Sequence, residues 1–129
     1  MHPNELALRD GYAAMAKGDG RQLALMLDPA AEWHIPGKSP LAGTYKGLNE
    51  IFKSWKQVAN LAPGGLRLEV VDVLANDDRG VVFVVGRGAR QGLTIEERGV
   101  HVFQFEGGKV KSARFFYEDQ DTYDRFWSA

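Results

Sequence analysis

The sequence predicts an α+β fold: a cone-shaped, curved antiparallel sheet with three helices packed on its concave side. Three observations lead there. Apolar residues recur at helical spacing through the first half of the chain and at a period of two through the second. Reversal signals rich in glycine and asparagine, at 76–80, 91–92 and 107–108, cut the second half into hairpins. Between the halves, an aromatic strand breaks into a loop fixed by Pro36, Pro40 and three glycines, and helix resumes through Gly47. Runs of helices followed by runs of strands place helices over one face of an antiparallel sheet. The open end of such a cone is concave and largely apolar, as ligand sites are.

Taken in order, Asn4 caps a first helix reaching about Lys17, with Leu8, Tyr12 and Met15 on one face. Gly18 ends it. Asp19 starts a short second helix, with Gln22 three residues on, and Leu23, Met26 and Leu27 face inward. Asp28-Pro29 stops that helix. Residues 30–35 read as a strand, Trp33 and Ile35 on one face and Glu32 and His34 on the other. A third helix covers 48–60, its apolar stripe made of Leu48, Ile51, Phe52, Trp55 and Ala59. Strands follow at 66–75, 81–90, 93–106 and 109–118, joined as an antiparallel meander. Residues 119–127 read as a terminal helix capped by Asp119, with Tyr123, Phe126 and Trp127 on its apolar face.

At 129 residues the chain holds one domain, 1–129, with a real core. A net charge of −1 offers no basic surplus to a phosphate backbone, so no nucleic-acid partner is expected. The absence of cysteine excludes disulfides, thiolate catalysis and thiolate metal sites. No apolar run is long enough to span a membrane, and Met1-His2-Pro3-Asn4-Glu5 carries no signal-peptide pattern, so the expected location is the cytoplasm. Scattered histidines and carboxylates without ligand spacing give no metal site, and no glycine-rich phosphate loop follows a strand. No cofactor is expected.

The chain resembles the nuclear transport factor 2-like superfamily, in its SnoaL-like and ketosteroid-isomerase-like branch. Three segments carry the resemblance. They are Tyr12-Ala13-Ala14-Met15-Ala16-Lys17-Gly18-Asp19; Trp33-His34-Ile35-Pro36-Gly37 through Leu41-Ala42-Gly43-Thr44-Tyr45-Lys46-Gly47; and His101-Val102-Phe103-Gln104-Phe105 with Gly108-Lys109-Val110 and Tyr117-Glu118-Asp119. The resemblance implies a cystatin-like α+β roll, a sheet-to-sheet homodimer and a range of activities that one fold can host. It does not carry the steroid-isomerase mechanism. The acidic base expected after the first strand is missing, because that strand ends His34-Ile35-Pro36. Tyr12 falls one position from the family's tyrosine and is expected to point elsewhere, while His101 stands nearest the family's protonated acid. The version that fits best is the SnoaL-like one, with an acid/base histidine or aspartate in the pocket.

The residues offer the following chemistry. His34 and His101 exchange protons near neutral pH where their surroundings permit, or else are simply packed. Asp119 orients a histidine or acts as the acid, or else caps the last helix. Tyr117 or His101 would stabilise charge developing on oxygen. The expected catalytic set is His34, Asp119, His101 and Tyr117. Tyr12, Trp33, Trp55, Phe103 and Phe115 are the expected substrate-binding residues, since an aromatic-lined cone suits a flat lipophilic molecule. Asp72, on an apolar strand face, needs a partner, for which Arg87 and Arg98 are candidates.

The leading reading is a cofactor-independent isomerase, cyclase or dehydratase acting on a small hydrophobic carbonyl or polyketide-like compound. The alternatives are a carrier of a hydrophobic ligand without turnover and a dimeric interaction module. The uncovered sheet face, carrying either Val82 and Val84 or Phe83 and Val85 together with Val100 and Val102, is expected to pair two copies.

Overall fold

Polar side chains at helix starts set the frame of the first third of the chain. In the computed structural model, which describes residues 1–129, helix α1 spans Pro3–Lys17. Its cap is His2, whose Nδ1 accepts the Asn4 N–H at 3.0 Å. Asn4, expected as the cap, is instead buried, and its Nδ2 donates to the carbonyls of Asn76 and Asp77 at 3.0 and 3.2 Å. Leu8 and Tyr12 are buried on the inner face with Met15 against them, as the spacing predicts. Helix α2 (Gly20–Met26) is capped by Asp19, which accepts the Gln22 N–H at 3.1 Å.

Strand β1 (Leu27–Ile35) starts three residues earlier than the sequence suggests, so Pro29 lies inside a strand and does not end the helix. The ladder tolerates it because the β1 register shifts between Leu27 and Glu32, where no N–H is demanded of residue 29. The shaped loop returns as β2 (Gly43–Lys46), a strand absent from the sequence reading, which pairs antiparallel with Glu32, Trp33, His34 and Ile35. Gly37, Gly43 and Gly47 have φ of 98°, 144° and 81°, a region L side chains rarely enter, so the loop requires these glycines. Helix α3 (Gly47–Leu61) buries Ile51 and lays Leu48 and Trp55 on the core.

The period-two half forms β3 (Leu66–Ala75), β4 (Arg79–Arg90), β5 (Leu93–Glu106) and β6 (Lys109–Tyr117), each antiparallel to the next. The sheet order is β2-β1-β6-β5-β4-β3. One expectation needs correcting: β1 joins β6 in parallel, so the six-stranded sheet is mixed. A parallel pair needs a long connection, and everything from β2 to β5 supplies it. A fourth helix, α4 (Gln120–Ser128), folds back under an Asp119 cap and buries Tyr123, Phe126 and Trp127. Arg90 is buried beneath it and donates to the carbonyls of Leu61, Phe126 and Ala129 at 2.8, 2.7 and 2.7 Å.

The main core lies on the concave face, where Trp33, Val82, Val84, Phe103 and Phe115 meet Leu8, Tyr12 and Ile51. The convex face therefore carries Phe83 and Val85, resolving the alternative. Phe83, Val100 and Phe116 sit side by side across β4, β5 and β6, and Phe116 is 53% exposed. Asp72 is turned outward by a register shift after Val70. It accepts the Val73 N–H at 2.8 Å and has Arg9 Nη2 at 3.8 Å as its cationic partner in place of Arg87 or Arg98, and Arg87 pairs with Glu69 and Glu96. No helix is long and apolar enough to cross a membrane.

Candidate functional site

Strand β5 decides the site, because its inward face carries the polar groups. Ile95, Glu97, Gly99, His101, Phe103 and Phe105 are all buried and alternate with exposed or half-buried neighbours. Helix α3 packs over β1 and β2, α1 packs over β3 and β4, and α4 closes one end against β5 and β6. Between these supports lies a cavity of about 1500 Å³. Its wall is mainly apolar. Trp33 anchors it, with ring centroids 5.9 Å from Trp55, 6.0 Å from Phe103 and 5.3 Å from Phe115.

Two polar poles interrupt this wall, four residues apart on β5 and so about 13 Å apart at the backbone. At the first, the Tyr12 hydroxyl is hydrogen-bonded to His101 Nδ1, and the imidazole lies edge-on to Phe115 with centroids 4.7 Å apart. Burial lowers the His101 pKa to about 3, so the ring is neutral at physiological pH. The same burial raises Tyr12 well above its ordinary value, so the phenol keeps its proton. That proton has one acceptor within reach, Nδ1. Donating it satisfies both groups and leaves the ring's own hydrogen on Nε2. Nε2 has no protein partner, yet Trp127 Nε1 is the one fully enclosed side-chain polar atom without a hydrogen bond. Nε2–H therefore faces the cavity that His101 lines.

At the second pole, Glu97 Oε1 accepts the Asp119 N–H at 2.8 Å, while its other oxygen is free of protein partners. Burial raises the Glu97 pKa. The Asp119 N–H opposes the rise, and the charges of Asp119 and Glu118 add to it. Beside Glu97 stands Tyr117, stacked on Tyr123 with centroids 3.8 Å apart and donating to its hydroxyl at 3.2 Å. Burial first, then Tyr123, holds Tyr117 well above an ordinary tyrosine; burial takes Tyr123 up to about 12. Gly99 makes room between the poles. A Cβ there would lie 2.9 Å from the Phe116 carbonyl oxygen and 3.3 Å from the Tyr117 ring.

The structure divides the expected catalytic residues. His101 and Tyr117 line the cavity; His34 and Asp119 do not. His34 occupies the β1 face opposite Trp33, with Nδ1 3.1 Å from Thr44 Oγ1 in the β1–β2 hairpin. It is turned away because alternation along β1 cannot send Trp33 and His34 the same way. Asp119 is exposed. It caps α4 by accepting the Thr122 N–H at 3.1 Å, and that hydrogen bond holds its pKa below the usual carboxylate value. The proton-transfer pair expected from sequence is thus not assembled.

Tyr12, Trp33, Trp55, Phe103 and Phe115 all line the cavity. Tyr12, expected to point elsewhere, instead touches His101. Glu97 was missed, although it shares the period-two phase of His101, Phe103 and Phe105. A carboxylate in that phase is the signal that could have found it. Nowhere in the chain do three His, Cys, Asp or Glu side chains converge as metal ligands.

Comparison with known proteins adds the following. Residues 8–113 match the model of the SnoaL-like domain. The uncharacterized protein Rv0034 of Mycobacterium tuberculosis is 30% identical over 122 residues, covering 94% of this chain and 93% of that one. Among solved structures, Bal32a from a soil-derived mobile gene cassette superposes with a TM-score of 0.93 at 32% identity, over 97% of this chain and 96% of that one. TerC, co-crystallized with polyporic acid, superposes with a TM-score of 0.87 at 26% identity, over 99% and 100% of the two chains.

Proposed function

Because the chain belongs to the SnoaL-like domain family, whose members include polyketide cyclases and isomerases, we propose that it is a cofactor-independent acid/base enzyme. Its substrate is a small hydrophobic carbonyl compound of polyketide-like character. The observation that carries this reading is the pair of poles on β5: a carboxylate with a raised pKa and a neutral imidazole, facing one apolar cavity.

Their roles follow from charge state. An imidazole whose conjugate acid has a pKa of about 3 is too weak a base to take a proton from carbon near neutral pH. It is, however, a fixed hydrogen-bond donor through Nε2–H. A substrate carbonyl oxygen placed there gains negative charge as a C–H conjugated with it, at the far end of the molecule, is broken. A preorganised donor in such a place is worth roughly 3–4 kcal/mol. The free oxygen of Glu97 accepts the proton, and its raised pKa keeps it basic enough for the task. A conjugated substrate spans the gap, losing a proton at one end and accumulating charge on oxygen at the other. In an isomerisation Glu97 returns the proton to the carbon at the other end of the conjugated system; in a cyclisation that carbon instead bonds to a carbonyl carbon, and the proton goes to the alkoxide oxygen so formed. TerC, which shares the fold, has been co-crystallized with polyporic acid, and this supports a small-molecule ligand for the cavity here.

The test uses extended conjugated ketones in D2O. Compounds that raise the melting temperature are followed by NMR for exchange with solvent of their acidic protons, including those conjugated with the carbonyl at the far end of the molecule. Bound compounds should exchange faster with the protein than without it, and Glu97→Gln should abolish the acceleration while the thermal shift persists. If every bound ketone exchanges at its solution rate, the catalytic reading is wrong and the cavity is a carrier's. We also propose that two copies pair through the convex sheet face around Phe83, Val100 and Phe116, where pairing would cover the exposed rings of Phe83 and Phe116.

A further inference from the structure

We propose that the ligand is an amphipathic anion, its apolar body in the cavity and its carboxylate held at the opening by Arg21, Lys53 and Lys56. The inference rests on the cavity being a ligand site, and it names the class of ligand.

The chain as a whole is nearly balanced, with 16 Lys and Arg against 17 Asp and Glu. The cavity lining is not. Its one acid is Glu97, which is buried, whereas Arg21, Lys53 and Lys56 line it and are exposed, which places them at the opening. Arg67 also borders the cavity, but its register opposite Arg87 puts its side chain on the convex face.

The three cations come from two helices that line the cavity. Arg21 lies in the first turn of α2. Lys53 and Lys56 lie on α3, in the same helical stripe as the lining residues Asn49 and Phe52. None of the three takes part in any ion pair of the structure. The acids nearest in sequence are engaged elsewhere. Asp19 accepts the Gln22 N–H, and Glu50 accepts the Lys46 N–H at 2.8 Å.

Three cations outside any ion pair around an apolar mouth concentrate field lines there and favour a negative charge at that point. Long basic side chains lay their stems along apolar surface and keep their heads in water, so the anion is met at the rim without full desolvation. A carboxylate there stays clear of the Glu97 carboxylate, which lies in the buried interior.

The experiment titrates 1-pyrenebutyrate and its methyl ester into the protein by fluorescence, at low and high salt. The acid should bind about tenfold more tightly than the ester at about 20 mM salt, and the preference should shrink to about twofold at about 0.5 M. The triple variant Arg21→Gln, Lys53→Gln, Lys56→Gln should lose the preference and keep its affinity for the ester; its circular dichroism verifies the fold. Equal binding of acid and ester by the wild type overturns the inference and leaves the cavity a ligand site. So does a preference that survives in the triple variant. If neither probe binds, the reading of the cavity as a ligand site fails as well.

Discussion

Removing His101 should erase a defined slope in the acid stability of this protein. The imidazole titrates at about 3 in the folded chain and near 6.5 when unfolded. A folded pKa lowered in this way means that the unfolded state binds the proton more readily as pH falls. The neutral form's contribution is therefore complete above pH 6.5 and is lost progressively from there down to about pH 3. Between pH 7 and pH 4.5 the linkage amounts to roughly 2–3 kcal/mol, on the order of fiftyfold to a hundredfold in the unfolding equilibrium.

Two other shifted carboxylates act in the same region. Glu97, raised by burial, binds its proton more readily when folded, so it adds stability as pH falls. Asp119, lowered by its capping bond to Thr122, loses its contribution only as pH falls through the carboxylate range. Both are common to the wild type and to His101→Phe, so the difference between the two proteins isolates the imidazole. Urea denaturation of each at pH 7 and pH 4.5 gives the four free energies required. The wild type should lose roughly 2–3 kcal/mol more than the variant over this interval. An equal loss in both, or an assigned His101 ring resonance titrating near pH 6.5, refutes the neutral imidazole and with it the donor role.

Three further outcomes follow from particular contacts. Gly99→Ala drives a Cβ to 2.9 Å from the Phe116 carbonyl oxygen, which is backbone and cannot yield cheaply. Urea midpoints should report a loss of about 1–3 kcal/mol, and an unchanged midpoint would show that the β5–β6 approach is looser than described. Tyr12→Phe keeps the ring and deprives His101 Nδ1 of its donor. It should cost roughly 1–3 kcal/mol in the same assay and slow ligand proton exchange about tenfold without removing ligand-induced thermal shifts. Phe116→Asp places a charge amid Phe83 and Val100 on the convex face. Sedimentation should move towards the 14.3 kDa species, whereas a wild type already monomeric at high concentration removes the dimer.

Local periodicity made most of the fold legible. The helical stripe of Leu8, Tyr12 and Met15 and the alternation Phe103, Phe105 each declare a buried face from residues close in sequence. The failures lie where a decision is made far away. Asn4 resembles a cap, but the carbonyls of Asn76 and Asp77 claim its amide. Pro29 resembles a helix stop, but a shift in register against β6 lets a strand carry it. Strand β2 has only four residues, too few to show a period, and exists because β1 offers it a partner. The parallel docking of β1 on β6 is likewise a property of the assembled sheet, with no local signature.

The site was legible to the same depth and failed for a related reason. The sequence points to His34 beside the shaped loop and to Asp119 after the last long strand, yet alternation within β1 sends His34 to the face away from Trp33 and the α4 cap claims Asp119. The decisive variable was phase. On β5, Glu97 and His101 are in step with Phe103, so folding forces an acid and a base into one apolar enclosure. Desolvation then penalises charge on both, raising the carboxyl and lowering the imidazole. These shifts assign the roles. If the imidazole were the base, its protonated form would have to arise at neutral pH, about four pH units above its pKa of about 3, in a cavity with little to solvate it. With Glu97 as the base, the imidazole never changes charge, and the only ionisation in the cavity is one that a free carboxylate oxygen can perform. Activity should therefore rise with pH through the raised Glu97 pKa, along a single limb, with no second limb from His101. A limb that moves when His101 is replaced by Asn would reverse the assignment.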